Sequence, residues 1–368
     1  MENSDASLVV CALKELRQKK GYTQSQLADM LGIKRQAVYD IESGRYLPNT
    51  LIALRLAKIL NVTVEEIFEE KLPEAMSVEL AEDAAPDSRL SVIKIRDKFI
   101  GYPLKNEDIL GGGIRSAGGR YLGNGKAELL KNESLIENTI AVLGCDPAFN
   151  LLSSYLSASD TSMYYRFASS KKAIESLAAG HAHAAGVHIQ SSGSKGFNAD
   201  FARKFMKRQK FGIITFAEYE EGLIVAKGNP LKINGFADLV NPKIRFVNRE
   251  AGAAVRFHLE EALKGGGIPF EAINGFDKHV YSHTEGTRLV EYGLADAALG
   301  LRAFAGIYEV DFVPASSVRC DLVIPADLWG FRAIKLLADI LQTKRFRMEL
   351  QSIAGYNTDN TGKYIEEC

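Results

Sequence analysis

The stretch Thr23 to Gly44, TQSQLADMLGIKRQAVYDIESG, constrains this 368-residue chain more than any other part of it. It predicts two short helices joined by a tight turn. Thr23 and Gln26 are spaced as a capping box, in which each side chain answers an orphan backbone donor at the helix start. Leu27, Met30 and Leu31 fall at helical spacing on one face. Gly32 stands where a helix end favours a residue free to take positive φ. The second helix starts near Lys34, buries Val38 and Ile41 and stops at Gly44, which turns Lys34, Arg35, Gln36, Tyr39 and Asp40 outward. Arginine and glutamine make paired hydrogen bonds to base edges in the DNA major groove. The stretch therefore points to a head that reads double-stranded DNA.

It resembles the helix-turn-helix family of phage repressors and Cro-like (XRE-type) regulators, and the likeness continues through that family's five-helix domain. Helix one covers Ser7 to Lys19. Helix four, Thr50 to Leu60, follows Pro48 and carries Ile52, Leu54, Ala57 and Leu60. Helix five follows Asn61, opens with a second capping box of Thr63 and Glu66, and buries Ile67 and Phe68. The resemblance implies that the second helix of the motif enters the major groove. It assigns Gln24 to the phosphate backbone, Arg35, Gln36, Tyr39 and Asp40 to base edges, and Arg45 to a further phosphate, with Lys34 on the same face. The alternative is a small helical domain that binds protein.

Charge supports the DNA reading. Residues 11–60 hold nine Lys/Arg against four Asp/Glu, while residues 61–91 hold two against nine. The whole chain nets −1 and would hide this asymmetry. A basic head suits salt-dependent phosphate contacts. The acidic stretch around MSVELAEDAAPDS has little to bury and reads as a solvated connector.

The length predicts two or three domains, divided here as residues 1–72 (all-α helix-turn-helix domain), 73–90 (acidic linker), 91–133 (small β module) and 134–368 (two-lobed α/β domain). No apolar run is long enough to span a membrane, and the N-terminus lacks the basic-then-apolar pattern of a signal peptide. Cys11, Cys145, Cys320 and Cys368 have no metal-ligand spacing and read as free thiols of a reducing cytoplasm. In the β module, SVIKIRDKFIGYPL alternates apolar and polar before the glycine-rich GGGIRSAGGRYLGNG. That stretch lacks the lysine pattern of a phosphate-binding loop.

From Leu135 the chain alternates strand and helix, which predicts parallel sheets flanked by helices. Strands are expected at Thr139–Leu143, Met163–Ala168, Ala184–Ile189, Phe211–Phe216, Leu223–Lys227, Ile244–Val247 and Ala297–Leu299. Helices are expected at Ala148–Leu156, from Ser169 to Gly180, up to Leu263, and over Leu328–Ile353. GCDPAFNLL, HAAGVH, EEGLIVAKGNP, FADLVNPKIRFVNRE, LADAALGLRA, DFVPASSVRCDLVIP and AGYNTDNTG resemble the type II periplasmic-binding-protein fold. More narrowly, they resemble the molybdate-binding-protein-related domain found behind helix-turn-helix heads. The resemblance implies two α/β lobes around a cleft, with crossings near Thr215–Leu223 and Arg319–Ile324.

Ligands bind parallel α/β sheets at the C-terminal ends of strands, where helix starts offer N–H groups and a positive dipole end. Cys145 and Asp146, then Ser169 and Ser170, then Arg249 with Gly252, Ala253, Ala254 and Arg256 are the candidates. The resemblance implies a small anion, an oxyanion such as molybdate or tungstate or a larger anionic metabolite. Related domains carry Gly-Ser-Gly-Thr-Arg before the second-lobe helix, where this chain has Gly252-Ala253-Ala254-Val255-Arg256. Each lost hydroxyl bond to a charged ligand is worth ~1.5–3 kcal/mol, which favours the larger anion. His188, Thr284, Glu285 and Arg302 join the candidate ligand residues, with His283 beside them.

His181 and His183 have no carboxylate or cysteine cluster around them, so no metal or other cofactor is expected. The chain has no nucleophile elbow, dinucleotide fingerprint or HExxH motif, and no histidine is paired with Cys145 by sequence, so no enzyme is expected. The expectation is a one-component, ligand-responsive transcriptional regulator in the cytoplasm, a homodimer on its operator with no membrane partner. The alternatives are a DNA-binding protein whose rear domain serves oligomerisation, and a ligand carrier or sensor acting on a protein partner.

Overall fold

Two turns set the shape of the N-terminal unit in the computed structural model, which describes residues 9–70, 75–104, 115–189, 197–207 and 209–367. The chain divides into two units, Met1–Met76 and Ser77–Cys368. In the first, Val9–Cys11 (β1) pairs antiparallel with Phe68–Glu70 (β2). Between them lie Leu13–Lys19 (α1), Gln24–Leu31 (α2), Arg35–Glu42 (α3), Thr50–Leu60 (α4) and the single turn Val64–Ile67 (α5). Both capping boxes form: Thr23 with Gln26, and Thr63 with Glu66. Gly32 closes α2 at φ 70° and Asn61 closes α4 at φ 52°, both left-handed.

Leu13, Leu27, Ala28, Leu31, Val38, Ile41, Leu56, Leu60 and Ile67 make the core of this unit. Met30 and Leu54, expected inside, are about half exposed, because Ala28 and Ala53 take the inward positions of their helices. Helix one is shorter than expected. Residues 9–11 are drawn into the β1–β2 pair, and Ser7 lies outside the described residues.

A six-stranded sheet follows, made of Met76–Ser77 (β3), Glu79–Leu80 (β4), Arg89–Ile95 (β5), Lys98–Pro103 (β6), Gly119–Gly123 (β7) and Lys126–Leu129 (β8). Their order is β3-β8-β7-β5-β6-β4. Strands at 76–80, with Val78 buried, occupy the stretch expected as a solvated connector. Part of the glycine-rich stretch, residues 111–114, lies outside the described residues.

After Glu133–Glu137 (α6) comes the α/β domain. Its strands are Thr139–Gly144 (β9), Ser162–Phe167 (β10), Ala184–Val187 (β11), Phe211–Ala226 (β12), Phe246–Arg249 (β13), His279–Val280 (β14), Ala297–Leu301 (β15), Val310–Pro325 (β16), Tyr356–Asn357 (β17) and Tyr364–Glu367 (β18). Its helices are Phe149–Ser157 (α7), Ser170–Ala178 (α8), Phe197–Phe205 (α9), Ala254–Gly265 (α10), His283–Glu291 (α11), Arg302–Ala305 (α12), Arg332–Gln342 (α13) and Lys344–Gln351 (α14). The strand order is β10-β9-β11-β16-β12-β15-β13-β14, with β17 and β18 also on β12.

One lobe is built on parallel β10-β9-β11 and the other on parallel β15-β13-β14. β12 and β16 pair antiparallel through both, from Phe211↔Pro325 to Ala226↔Val310. The two strands expected at 211–216 and 223–227 are thus one strand, and the expected crossings are its middle and that of β16. Bulges interrupt this ladder between Thr215 and Ala217 and between Glu221 and Gly222. A Cβ at Gly222 would lie 2.1 Å from the Val313 carbonyl oxygen, so glycine permits the close pairing there. The expected helix 328–353 is also two, broken where extended Thr343 (ψ 137°) caps α14 by accepting from Phe346 N–H at 3.3 Å. The β module packs on the first lobe: Ile93, Ile95, Ile100 and Tyr102 share a core with Ala141, Leu143, Ile174 and Leu177.

Candidate nucleic-acid face and ligand cleft

Helix α3 buries Val38 and Ile41 and leaves Lys34, Arg35, Gln36 and Tyr39 exposed, as its spacing requires. Gln36 Nε2 donates to Asp40 Oδ1 at 3.0 Å, one helical turn on, and the Arg45 guanidinium sits 5.6 Å from the Tyr39 ring centre. At the start of α2, Gln24 Nε2 donates to Glu42 Oε2 at 2.9 Å. Glu42 also receives Nε and Nη2 of Arg17 at 2.5 and 3.1 Å. Burial opposes the charge on Glu42, yet Arg17 and Gln24 hold its carboxyl below the usual range. This fork fixes α1 to the end of α3 and thereby sets the pitch of the exposed face.

In the α/β domain, β9 and β11 lie side by side and end together. Cys145 follows the first and His188 the second. Gly144 and Gly186 let the Phe149 ring cross these strand ends, since a Cβ at either would come within 2.7 or 2.6 Å of it. Cys145 Sγ lies 3.3 Å from His188 Nδ1 and 3.7 Å from its Nε2. Ser170, opening α8, accepts from His188 N–H at 3.2 Å, and its hydroxyl is 3.5 Å from His188 Nδ1. Ser169 caps the same helix.

His188 Nε2 meets Glu221 Oε1 at 3.3 Å, a close ionic contact without hydrogen-bond alignment. The other oxygen of Glu221 is 2.7 Å from His258 Nδ1, on α10 of the second lobe. Burial penalises both charges, but Cys145 and Glu221 raise His188 well above the ordinary imidazole range, and the two histidines hold Glu221 down at about 2. The result is a buried line from thiol to imidazole to carboxylate to imidazole that crosses from one lobe to the other.

Asp146 is wholly buried. Its Oδ1 accepts from Ala148 N–H at 2.9 Å and from the Tyr356 hydroxyl at 2.6 Å. Burial raises its carboxyl to about 6. Arg249, 2% exposed, reaches Glu250 through Nε at 2.9 Å and Nη2 at 3.1 Å, and faces the Phe167 ring of the first lobe at 5.6 Å. His283, opening α11, is kept neutral by burial and by the charge of Arg249, and its Nδ1 has no hydrogen-bond partner among the described residues. Asp146 Oδ2 and His258 Nε2 are likewise buried without one. Native interiors leave few such atoms.

The remaining expected residues lie around this cluster. Ala253 caps α10 with no side-chain bond, and Ala253 and Ala254 are buried beneath exposed Gly252. Arg256 pairs with Glu260 at 2.8 Å and donates to the Arg249 carbonyl at 2.9 Å. Thr284 is half-buried. Glu285 faces out and accepts from Tyr281 N–H at 3.1 Å, capping α11. Arg302 pairs with Glu220 and stacks 4.8 Å from the Phe312 ring centre, so the structure does not bring Glu285 or Arg302 into the cluster.

Glu221 and His258 escaped the sequence reading because the crossing looked like a connector. The signal was a carboxylate flanked by apolar strand positions on one side of EYEEGLIV. His183 is buried, with its Nδ1 accepting from Ala141 N–H at 3.0 Å, while His181 Nε2 lies 2.8 Å from Glu79. Among the described residues no group of three or more His, Cys, Asp or Glu is arranged to hold a metal ion. No helix of the described residues is long and apolar enough to cross a membrane.

Residues 13–67 match the model of a helix-turn-helix domain, and residues 153–342 match that of the PBP superfamily domain. The chain is 24% identical over 353 residues to the uncharacterized protein YvgK of Bacillus subtilis (strain 168), covering 96% of this chain and 100% of that one. It is 32% identical over 110 residues to an uncharacterized protein from the ferredoxin 2Fe-2S gene 5′ region of Clostridium pasteurianum, covering 30% of this chain and 97% of that one. It is 41% identical over 56 residues to the uncharacterized HTH-type transcriptional regulator YgzD of Bacillus subtilis (strain 168), covering 15% of this chain and 85% of that one.

Proposed function

The chain belongs to the PBP (periplasmic-binding-protein) superfamily and carries a helix-turn-helix head, and from that premise we propose that a small anionic ligand in the cleft controls its hold on DNA. It is a DNA-binding regulator with a ligand-binding domain. Two copies read the half-sites of one operator through Arg35, Gln36, Tyr39 and Asp40, with Lys34, Arg45 and the start of α2 at Gln24 on the backbone. The ligand lies among Cys145, Asp146, Ser170, His188 and Arg249, and its binding favours one spacing of the heads over another. Regulation follows if the ligand binds one arrangement of the lobes better than the other.

The observation that carries this reading is the buried polar cluster supplied by both lobes, with the acceptor or donor atoms of Asp146, His258 and His283 left open. Arg249 and His188 supply positive charge there. The missing hydroxyls before α10 favour an organic anion over molybdate or tungstate.

The test has two parts. A thermal-shift panel of molybdate, tungstate, sulfate, phosphate and small organic acids identifies the ligand; at a hundred times its dissociation constant it adds ~2.7 kcal/mol to the folded state. DNA selected from a random pool then gives the operator, and its affinity is measured with and without that ligand. A palindromic site and an affinity that changes with ligand are expected. Equal affinity in both conditions refutes the coupling.

A further inference from the structure

We propose that Cys145 is a nucleophile and that the cleft captures its ligand covalently, as a hemithioacetal with a small carbonyl compound that carries a carboxylate. This rests on the reading of the cleft as a ligand site and names the chemistry of what it holds.

Four observations support this. The Cys145 sulfur touches the His188 imidazole at 3.3 Å, within reach of proton transfer. Glu221, 3.3 Å from the other ring nitrogen, orients that imidazole, and His258 in turn steadies Glu221 at 2.7 Å. A nucleophile, a base and an orienting carboxylate in this sequence are the parts of a thiol activated for attack. Third, His283 presents a buried nitrogen, Nδ1, with no hydrogen-bond partner among the described residues. Fourth, Arg249 is a buried guanidinium that faces the Phe167 ring of the first lobe at 5.6 Å, and a guanidinium is the partner that planar carboxylates favour. A structural cysteine needs none of this apparatus, and buried thiols in apolar surroundings are inert.

The step balances without a co-reactant. Before attack the single proton of the Cys145–His188 pair rests on the imidazole. The sulfur forms a bond to the carbonyl carbon, the carbonyl π bond opens, and its oxygen takes that proton from His188. No group leaves and nothing is oxidised. The adduct reverses by the same path, as a sensor requires.

Glyoxylate is the probe, and glycolate, of similar size and charge without the carbonyl, is its control. The full-length protein is alkylated with iodoacetamide and the rate at each cysteine is read by peptide mass spectrometry. Cys145 is expected to react faster than half-buried Cys11, His188→Gln to slow it about 100-fold, and glyoxylate but not glycolate to protect it. Glyoxylate labelled with carbon-13 at the aldehyde should give a protein-bound signal of a carbon bonded to one oxygen and one sulfur, absent in Cys145→Ser. Alkylation of Cys145 no faster than of Cys11, or no such signal, overturns the proposal. If glycolate and glyoxylate then raise the melting temperature equally, the cleft still takes anions by hydrogen bonds and only the covalent step fails. If neither compound shifts, protects or gives a signal, the covalent step fails, and the wider anion panel alone decides whether the cleft binds ligand.

Discussion

The Tyr356 hydroxyl donates to Asp146 at 2.6 Å across 210 residues of sequence, and so ties β17 to the turn that leads into α7. Removing the hydroxyl alone leaves a buried carboxylate short of one donor. Tyr356→Phe should cost about 1.5–3 kcal/mol in chemical denaturation and push the Asp146 carboxyl further up, since this bond opposes the effect of burial. An unchanged denaturation midpoint would show that the bond contributes nothing net.

Acid stability has a specific owner. Burial, and then the charge of Arg96, depress His183 to about 4. A depressed folded pKa means that the stability it contributes is present above the unfolded value of 6.5 and lost as pH falls through about 4. Asp146 runs the opposite way: raised to about 6, it contributes stability in full below 3.8 and loses it as pH rises through 6. The two overlap in the wild type, so the difference between it and His183→Gln isolates the first. Urea unfolding of that variant should lose roughly 3 kcal/mol less than wild type between pH 7 and pH 4. Parallel profiles would show that His183 does not titrate in that range.

The Arg17–Glu42 fork is nearly buried, with side-chain exposures of 9% and 4%. Glu42→Gln leaves the guanidinium without its counter-charge and should destabilise the N-terminal unit by about 3–5 kcal/mol. Arg17→Met with Glu42→Leu should recover most of that stability, because neither charge then stays buried alone. Thermal unfolding of the N-terminal helices by circular dichroism, with DNA binding as the second readout, decides both.

Arg35 and Gln36 are exposed on α3 and contribute little to packing. Arg35→Ala should leave the melting temperature unchanged and weaken binding to the selected operator by about 1–3 kcal/mol, with relaxed preference at one base position. Lys34→Ala should instead weaken binding to all sequences evenly and lower the salt slope by about 1. A base-specific loss from Lys34→Ala would exchange the two roles.

How much of this was legible depends on how local the signal is. Helix α4 falls on Thr50–Leu60 as read, because Asn49 caps it and Asn61 ends it within a few residues of an aliphatic stripe. Both capping boxes form for the same reason. The long strand β12 was divided in the reading because Glu218, Glu220 and Glu221 look like the polar residues of a loop, yet Glu221 is buried against two histidines. Thr343 breaks the last long helix without glycine or proline, by spending its hydroxyl on the next helix, and such a break leaves almost no mark in composition. The pairing of Cys145 with His188, 43 residues apart, is set by two parallel strands ending at one level. Spacing in sequence does not encode that level.

The lobes are joined by β12 and β16, two strands of one hydrogen-bonded ribbon that runs through both. A loop swivels freely, whereas a ribbon flexes against its own ladder, as a leaf spring does. Two bulges interrupt that ladder, and one of them adjoins the carboxylate that His188 and His258 share. Work done in spreading the lobes would strain that ladder, so a ligand that favours one arrangement of the lobes must outweigh the strain.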